Sequence, residues 1–441
     1  MADMEKKVAQ LPAYLMQQRW YRSKTRKISR VEIEAQVSPT GENEKSSLLL
    51  SVARVFFEDG GTEQYSLIDD DNPSLSGLAL LKLALEGTQT PLGSGVLHGL
   101  PFLGEEIAPE EKTFAQLLGG EQSNTSFVFS SGHFLKLYRH LEEGLHPEAE
   151  MLSFLKQVNY PHVPAFRASI EWQRTGEAPV TVALAQDRIE AKSNAWEYML
   201  KRLASLENGS LPEDFVQWIR QLGSRTAGLH LALASRHDSE AFAPEPLPPQ
   251  DLQTVRSSIA HLLQGMINSS ENPVIPESLA ALTRMENSLA QTDALGSKIR
   301  IHGDFHLGQI LCCGNEGTEI KFIDFEGEPS RPLAEKRRKQ SPLRDVAGML
   351  RSFHYAAHVA APSPEKFDPT LPETLGALFL EEYYEIISAS DLLPTVALMR
   401  DALLDFFVLE KAVYELHYEL NNRPDWAEIP LRGLRALLRE G

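Results

Sequence analysis

The spacing of apolar residues changes period once along this chain, and that change limits the fold more than any other feature. In roughly the first 190 residues the apolar positions fall in short runs around glycine turns. Ser46 to Phe57 and Thr62 to Ile68 flank Asp59-Gly60-Gly61, and Thr125 to Ser130 and His133 to Tyr138 flank Ser131-Gly132. Both read as β-hairpins, because glycine accepts the positive φ that a tight turn demands. Val180 to Ala185 is a further strand. Two helices join this part, one around Val8 to Trp20 and one opening at His146-Pro147. In the second, proline takes the first helical position and Glu148 and Glu150 meet the positive end of the dipole. From Trp196 onward the period is helical, over Phe215 to Ala234, Leu375 to Ile387 and Val396 to Leu420. The proline-rich stretch Ala243 to Pro249 is a loop between helices. Strands first and helices later predict segregated α+β lobes rather than a doubly wound sheet.

Composition removes several function classes. Forty-three Lys and Arg face 61 Asp and Glu, a net charge of −18, which opposes binding to a nucleic-acid backbone. A nucleotide remains admissible, since a local group of donors and a metal can override global charge. At 42% hydrophobic and 24% charged residues, the chain reads as globular. The only cysteines, Cys312 and Cys313, are adjacent, which suits a reducing compartment better than a disulfide. No apolar run is long enough to cross a bilayer, and the opening Met-Ala-Asp-Met-Glu-Lys-Lys is not a secretory leader. A cytoplasmic protein that binds neither membrane nor nucleic acid is expected.

The chemistry concentrates at Ile299 to Glu326, where two short strand-like runs interrupt the helical part. His302-Gly303-Asp304 is followed five residues after the aspartate by Gln309, and a second strand ends at Asp324-Phe325-Glu326. Phosphoryl transfer of the kinase type needs this set of groups. One aspartate takes or orients the proton of the attacking hydroxyl, while an amide and a further aspartate hold Mg²⁺ against the phosphates. The plainer alternative is that His302 and Asp304 cap a turn between buried strands. Upstream, Ser123, Asn124, Thr125 and Ser126 lead into the second hairpin, where small polar residues let backbone N–H groups approach phosphate; a simple turn explains them equally well. Lys136 stands between Leu135 and Leu137, so it faces away from them. A lysine there contacts the α- and β-phosphates if an anion holds it, and Glu150 fits that part; otherwise it is a solvated residue on an edge strand.

His302-Gly303-Asp304 with Gln309 and Asp324 resembles the aminoglycoside-phosphotransferase-like branch of the kinase superfamily. Longer runs resemble the bacterial maltokinases: Asp324 to Leu333, Lys339 to Phe353, Leu11-Pro12, Gln18-Arg19-Trp20, Glu121 to Ser126, Leu145-His146-Pro147, and Tyr414-Glu415 through Tyr418-Glu419 to Trp426. The resemblance implies a bilobal protein-kinase-like fold with a β-rich cap at 1–100, an intermediate β-rich lobe with the phosphate-binding hairpin at 101–190, and a helical lobe at 191–441. It implies ATP-dependent phosphorylation of maltose at its anomeric hydroxyl, giving maltose 1-phosphate for α-glucan (glycogen) synthesis, by a monomer or weak dimer associated with a trehalose synthase. On the matching positions it makes Asp304 the catalytic residue, Gln309 and Asp324 the Mg²⁺ ligands, and Lys136 with Glu150 the phosphate anchor. The same fold serves other acceptors, such as glucosamine or an aminoglycoside, and that is the principal rival. A nucleotide-binding module without turnover is the rival of another class.

The remaining features have two readings each. Asp345 resembles the aspartate that braces the catalytic loop in kinase-like folds, or is a helix N-terminal acid. Lys336 to Lys339 is a solvated helix face or a screen for phosphates. Tyr414, Glu415, Tyr418, Arg423 and Trp426 suit a sugar, with rings for its faces and carboxylates for its hydroxyls, or the tyrosines are core. His302, Glu326 and Arg344 complete the candidate substrate contacts. Phe305, Tyr21-Arg22-Ser23 and His354 depart from the commoner maltokinase pattern, and His354 is a candidate neighbour of the sugar.

Overall fold

The strands up to Ile189 form two antiparallel sheets; burial alternates along His133–Leu137, while the central strand Val180–Asp187 is buried on both faces over its first seven residues. The structure, a computed structural model, describes every residue except 1, 19, 38–49, 69–72, 104–112, 120–122, 207–209, 268–271, 292–293, 315–316, 330, 362, 364–366 and 440–441. The chain forms two compact units, Met1–Gln157 with Pro164–Ile189, and Val158–Val163 with Glu190–Gly441.

In the first unit a four-stranded sheet runs in the order Ile28–Val37, Leu50–Phe57, Thr62–Leu67, His140–Leu141. Leu15, Tyr21, Val55, Phe57 and Tyr65 pack into one apolar cluster beneath it. The helix that brings Leu15 there is Ala2–Gln17, displaced toward the start of the chain from the expected Val8 to Trp20. Gly60, with φ +88°, makes the turn between the second and third strands. A seven-stranded sheet follows, in the order Gln89–Leu92, Gly95–Pro101, Phe166–Arg174, Val180–Asp187, His133–Leu137, Thr125–Phe129, Ala115–Leu117. Residue 100, the expected subdomain boundary, lies inside Gly95–Pro101, which pairs with Phe166–Arg174. Lys136 therefore sits on an internal strand, opposite Leu184 on one side and Ser126 on the other. That disposes of the edge-strand reading. The helix Pro147–Gln157 buries Met151, Leu152 and Leu155 and, unusually for an acid, Glu148.

The second unit is helical around a small antiparallel sheet, Ala191–Asn194, Ile310–Cys313 and Glu319–Phe322. Its helices include Glu213–Leu233, Leu343–Ala360, Thr370–Ile387, Ala397–Asn422 and Glu428–Arg439. Glu213–Leu233 and Thr370–Ile387 approach closely at Gly223, where a Cβ would lie 2.1 Å from the Phe379 carbonyl oxygen. Cys312 and Cys313 are free and buried. Among the described residues no helix is long and apolar enough to cross a membrane. This is the α+β organisation expected, with sheets dominating the first unit and helices the second.

Candidate active site

The site grows from a loop that cannot hold its shape alone. Gly303 has φ +81°, in the left-handed region where a side chain is strained. The loop is clamped from behind by Asp345, in the first turn of Leu343–Ala360. Its Oδ2 accepts from the His302 N–H at 2.8 Å, and its Oδ1 from the Gly303 N–H at 2.9 Å. His230 Nε2 lies 3.2 Å from Oδ2, and His230 Nδ1 lies 2.8 Å from the Tyr383 hydroxyl. Because a carboxylate only accepts, Nε2 carries the proton and Nδ1 receives the tyrosine O–H. Burial pushes Asp345 upward, but the bonds from His230 and the charge near it prevail and hold its carboxyl below the usual range. Both readings of Asp345 are thus realised in one residue, a helix N-terminal acid that braces the loop.

His302 was expected near substrate; the structure places it in the core. It is 1% exposed, its ring packs 4.7 Å from Phe325, and Nε2 donates to the Ile323 carbonyl at 2.9 Å. An aromatic ring with an apolar body and one polar edge can tie two buried segments together, and His302 does so for the two loops that carry the acids.

Gln309 Nε2 donates to Asp324 Oδ2 at 2.9 Å. Gln309 ends a short 3₁₀ turn, Leu307–Gln309, capped by His306 Nδ1 on the Gly308 N–H at 3.0 Å. Asp324 has φ +67°, rare for a residue with a side chain and costing roughly 1–2 kcal/mol. Strain of that kind persists only where surrounding bonds impose it. The Gln309 amide oxygen and Asp324 carboxylate are hard oxygen donors, which fit Mg²⁺.

Asp304 opens onto a cavity of about 630 Å³. One helix supplies most of the opposite wall: Lys411, Tyr414, Glu415, Tyr418 and Glu419 follow a three-and-four spacing along Ala397–Asn422 and share a face. Arg423 and Trp426 extend it, with Trp426 stacked against Tyr355 at 6.4 Å. The expected Tyr414, Glu415, Tyr418, Arg423 and Trp426 are therefore brought together beside Asp304. Glu415 is held by Arg351 Nε at 2.8 Å, and Glu419 by Arg423 through two bonds of 2.9 and 2.7 Å. Burial raises the Glu415 carboxyl above its usual range, against the opposing charge of Arg351.

Two charged residues here were not anticipated. Lys411 Nζ lies 3.7 Å from Asp304 Oδ1 and 3.1 Å from Glu328 Oε1. Burial by itself would lower Lys411, yet Glu328 and Asp304 outweigh it and lift it above the ordinary lysine value. Glu328, which also accepts from Arg331 Nε at 2.6 Å, is pulled down to about 2; burial opposes that shift and Lys411 and Arg331 overcome it.

Other expected residues lie elsewhere. Arg344 pairs with Glu410 and Gln340 and lines neighbouring cavities rather than this one. Glu326 is buried and is not on the cavity wall. His354 faces a different cavity, because it lies on the far side of its helix from Asp345 and Ser352. In the other unit, Lys136 Nζ is gripped by both oxygens of Glu148, at 3.0 and 2.9 Å, and Tyr138 donates to Glu148 at 2.9 Å. The anchor is Glu148, not the expected Glu150: residues two apart on a helix do not share a face, and Glu148 is the one turned inward. Of the polar hairpin residues, Glu121 and Gln122 fall outside the described residues. Asn124 Oδ1 and Thr125 Oγ1 accept from Arg139, Ser126 is buried, and Ser123 is exposed.

Residues 115–327 match the sequence profile of the phosphotransferase enzyme family. The chain is 27% identical over 334 residues to a glucosamine kinase of Mycolicibacterium smegmatis, covering 73% of this chain and 79% of that one. It is 27% identical over 272 residues to a glucosamine kinase of Streptacidiphilus jiangxiensis, covering 60% and 59%. A solved glucosamine kinase in complex with glucosamine, ADP and inorganic phosphate superposes with a TM-score of 0.68 at 22% identity, over 97% of each chain.

Proposed function

From the phosphotransferase enzyme family match of residues 115–327 and the kinase-like fold of the whole chain, we propose that this protein is an ATP-dependent sugar kinase whose acceptor is an amino sugar of the glucosamine class. The observation that carries the reading is the cavity in front of Asp304. Four carboxylates, Asp304, Glu328, Glu415 and Glu419, line it, with Lys411 and Arg423 on the same wall and Arg331 and Arg351 holding Glu328 and Glu415 from behind. The carboxylate oxygens are acceptors for the hydroxyl and ammonium groups of an amino sugar, and the tyrosines and Trp426 offer flat surfaces to its ring. The glucosamine kinases to which the chain is similar support the same class.

Asp304 accepts the proton of the attacking hydroxyl and aligns its oxygen for in-line displacement. Lys411 fixes the direction of that carboxylate through Oδ1. Gln309 and Asp324 are the residues to hold Mg²⁺, which supplies charge neutralisation on the transferring phosphate. Lys136, gripped by Glu148, is the cation offered to the nucleotide phosphates.

A second reading, maltose phosphorylated at its anomeric hydroxyl, draws on the Lys339 to Phe353 run and on the length of aromatic wall from Tyr414 to Trp426. A coupled ADP-release assay across glucosamine, maltose, glucose and kanamycin separates the readings. We expect glucosamine to exceed glucose at least tenfold in kcat/KM. Maltose as the best acceptor would replace the first reading with the second, and ATP binding without turnover on any sugar would overturn both.

A further inference from the structure

Arg331, Arg344 and Glu410 lie off the wall of the acceptor cavity, yet a run of ion pairs joins them to Asp304. Lys411 Nζ stands between Asp304 Oδ1, at 3.7 Å, and Glu328 Oε1, at 3.1 Å. The other Glu328 oxygen, Oε2, accepts from Arg331 Nε at 2.6 Å. Arg331 Nη2 lies 4.0 Å from Glu410 Oε1, and that oxygen also accepts from Arg344 Nη2. Arg344 Nη1 donates to Gln340, which ties down the far end. Charges of alternating sign thus run from the first turn of Leu343–Ala360 to the acid of the acceptor cavity.

Stability alone is a poor account of this ladder. The Arg344 and Glu410 side chains are only 16% and 14% exposed. Replacing a whole ion pair that is shielded from water by apolar residues of similar volume is often neutral or stabilising, whereas removing one partner is strongly destabilising. The ladder also borders a cavity of about 100 Å³, so pairing rather than close packing fixes where its side chains stand. Asp345 secures the loop by its backbone, at the His302 and Gly303 N–H groups. Among the described residues, Lys411 is the cation paired with the Asp304 carboxylate itself.

We propose that Arg344, Glu410 and Arg331 are positioning residues for phosphoryl transfer, which through Glu328 and Lys411 hold the Asp304 carboxylate in line with the acceptor hydroxyl. The proposal rests on the reading of Asp304 as the group that takes the acceptor proton. Each inner member is shared: Lys411 by Asp304 and Glu328, Arg331 by Glu328 and Glu410. Burial raises the Glu410 carboxyl, with Arg344 and then Arg331 opposing. A Glu410 deprived of Arg344 therefore draws Arg331 toward itself, Glu328 turns its charge on Lys411, and Lys411 leaves Asp304. Misplacing a reacting group by about 1 Å costs up to roughly 10²-fold in rate.

The test combines Arg344→Met with Glu410→Leu, so that a whole pair is replaced and neither charge is left alone. We expect the double variant to keep the parent's denaturant midpoint, while kcat on the best acceptor falls by roughly 10- to 100-fold. ATP affinity and the acceptor KM should stay within threefold. A double variant that keeps both its stability and its kcat would overturn the proposal, as would a loss confined to KM. Should the double variant fail to fold, Glu410→Gln decides, measured by single-turnover ADP formation in the parent and in Asp304→Asn. Acting through Asp304, it should cost at least tenfold in the first background and less than twofold in the second; equal losses in both would contradict the proposal. Crystals of the parent and of Glu410→Gln give a readout that needs no turnover. The Asp304 carboxylate should rotate away from its place beside Lys411 in the variant, and an unmoved carboxylate would again contradict the proposal. No turnover of any sugar by the parent would sink the kinase reading, and the crystals would still decide whether the ladder holds Asp304.

Discussion

Single charges in this protein are assigned by which partner burial leaves them. Lys136 has Glu148 on both its oxygens, and the pair sits on an internal strand and an inward helix face, where water competes little. Glu148→Gln should lower kcat/KM for ATP by roughly 10- to 100-fold, as expected for a charge-assisted pair, with Glu150→Gln nearly silent. Steady-state kinetics at varied ATP checks both. Glu328 offers a pH test. Its folded pKa, about 2, lies below its ordinary 4.5. A depressed carboxylate stabilises above its unfolded value and loses that contribution as pH falls through the folded one. Stability should therefore drop by roughly 1–3 kcal/mol between about pH 4.5 and pH 2. Glu328→Gln should flatten that slope in urea melts recorded across the interval.

Elements position these charges, and they differ in how much their residues disclosed. The His302–Asp304 loop, the two strands after it and the helix with Asp345 were legible, because each couples an apolar run to a polar residue at the offsets that kinase-type phosphoryl transfer uses. Ala397–Asn422 was legible as a helix and as the carrier of Tyr414, Glu415 and Tyr418. Lys411 was overlooked, although it stands three and four residues before that pair on the same face. The helix Pro73–Glu86 escaped since Leu78, Leu80, Leu81, Leu83 and Leu85 leave no polar stripe to mark a period. Glu148 and Glu150 could not be told apart without knowing which face of their helix is covered. Asp345→Asn tests the brace between elements. It weakens three bonds to a fully buried group, so we expect a loss of about 2–4 kcal/mol in denaturant melts of the helical unit. A disordered His302–Asp304 loop should accompany it, with kcat falling and nucleotide affinity kept.

Across the whole molecule, a net charge of −18 opposes any polyanion, so a nucleotide has to be held by local donors. The fold class could be read early because strands and helices are segregated along the chain. The acceptor could not, because it depends on side chains from separate elements around one cavity, and no spacing along the chain encodes their distances. The central claim is that Asp304 handles the acceptor proton. Its direct measurement is single-turnover ADP formation by Asp304→Asn beside the parent, with ATP binding followed by titration. We expect turnover to fall by roughly 10²- to 10⁴-fold with ATP affinity within threefold. Parent-like turnover in the variant would contradict it.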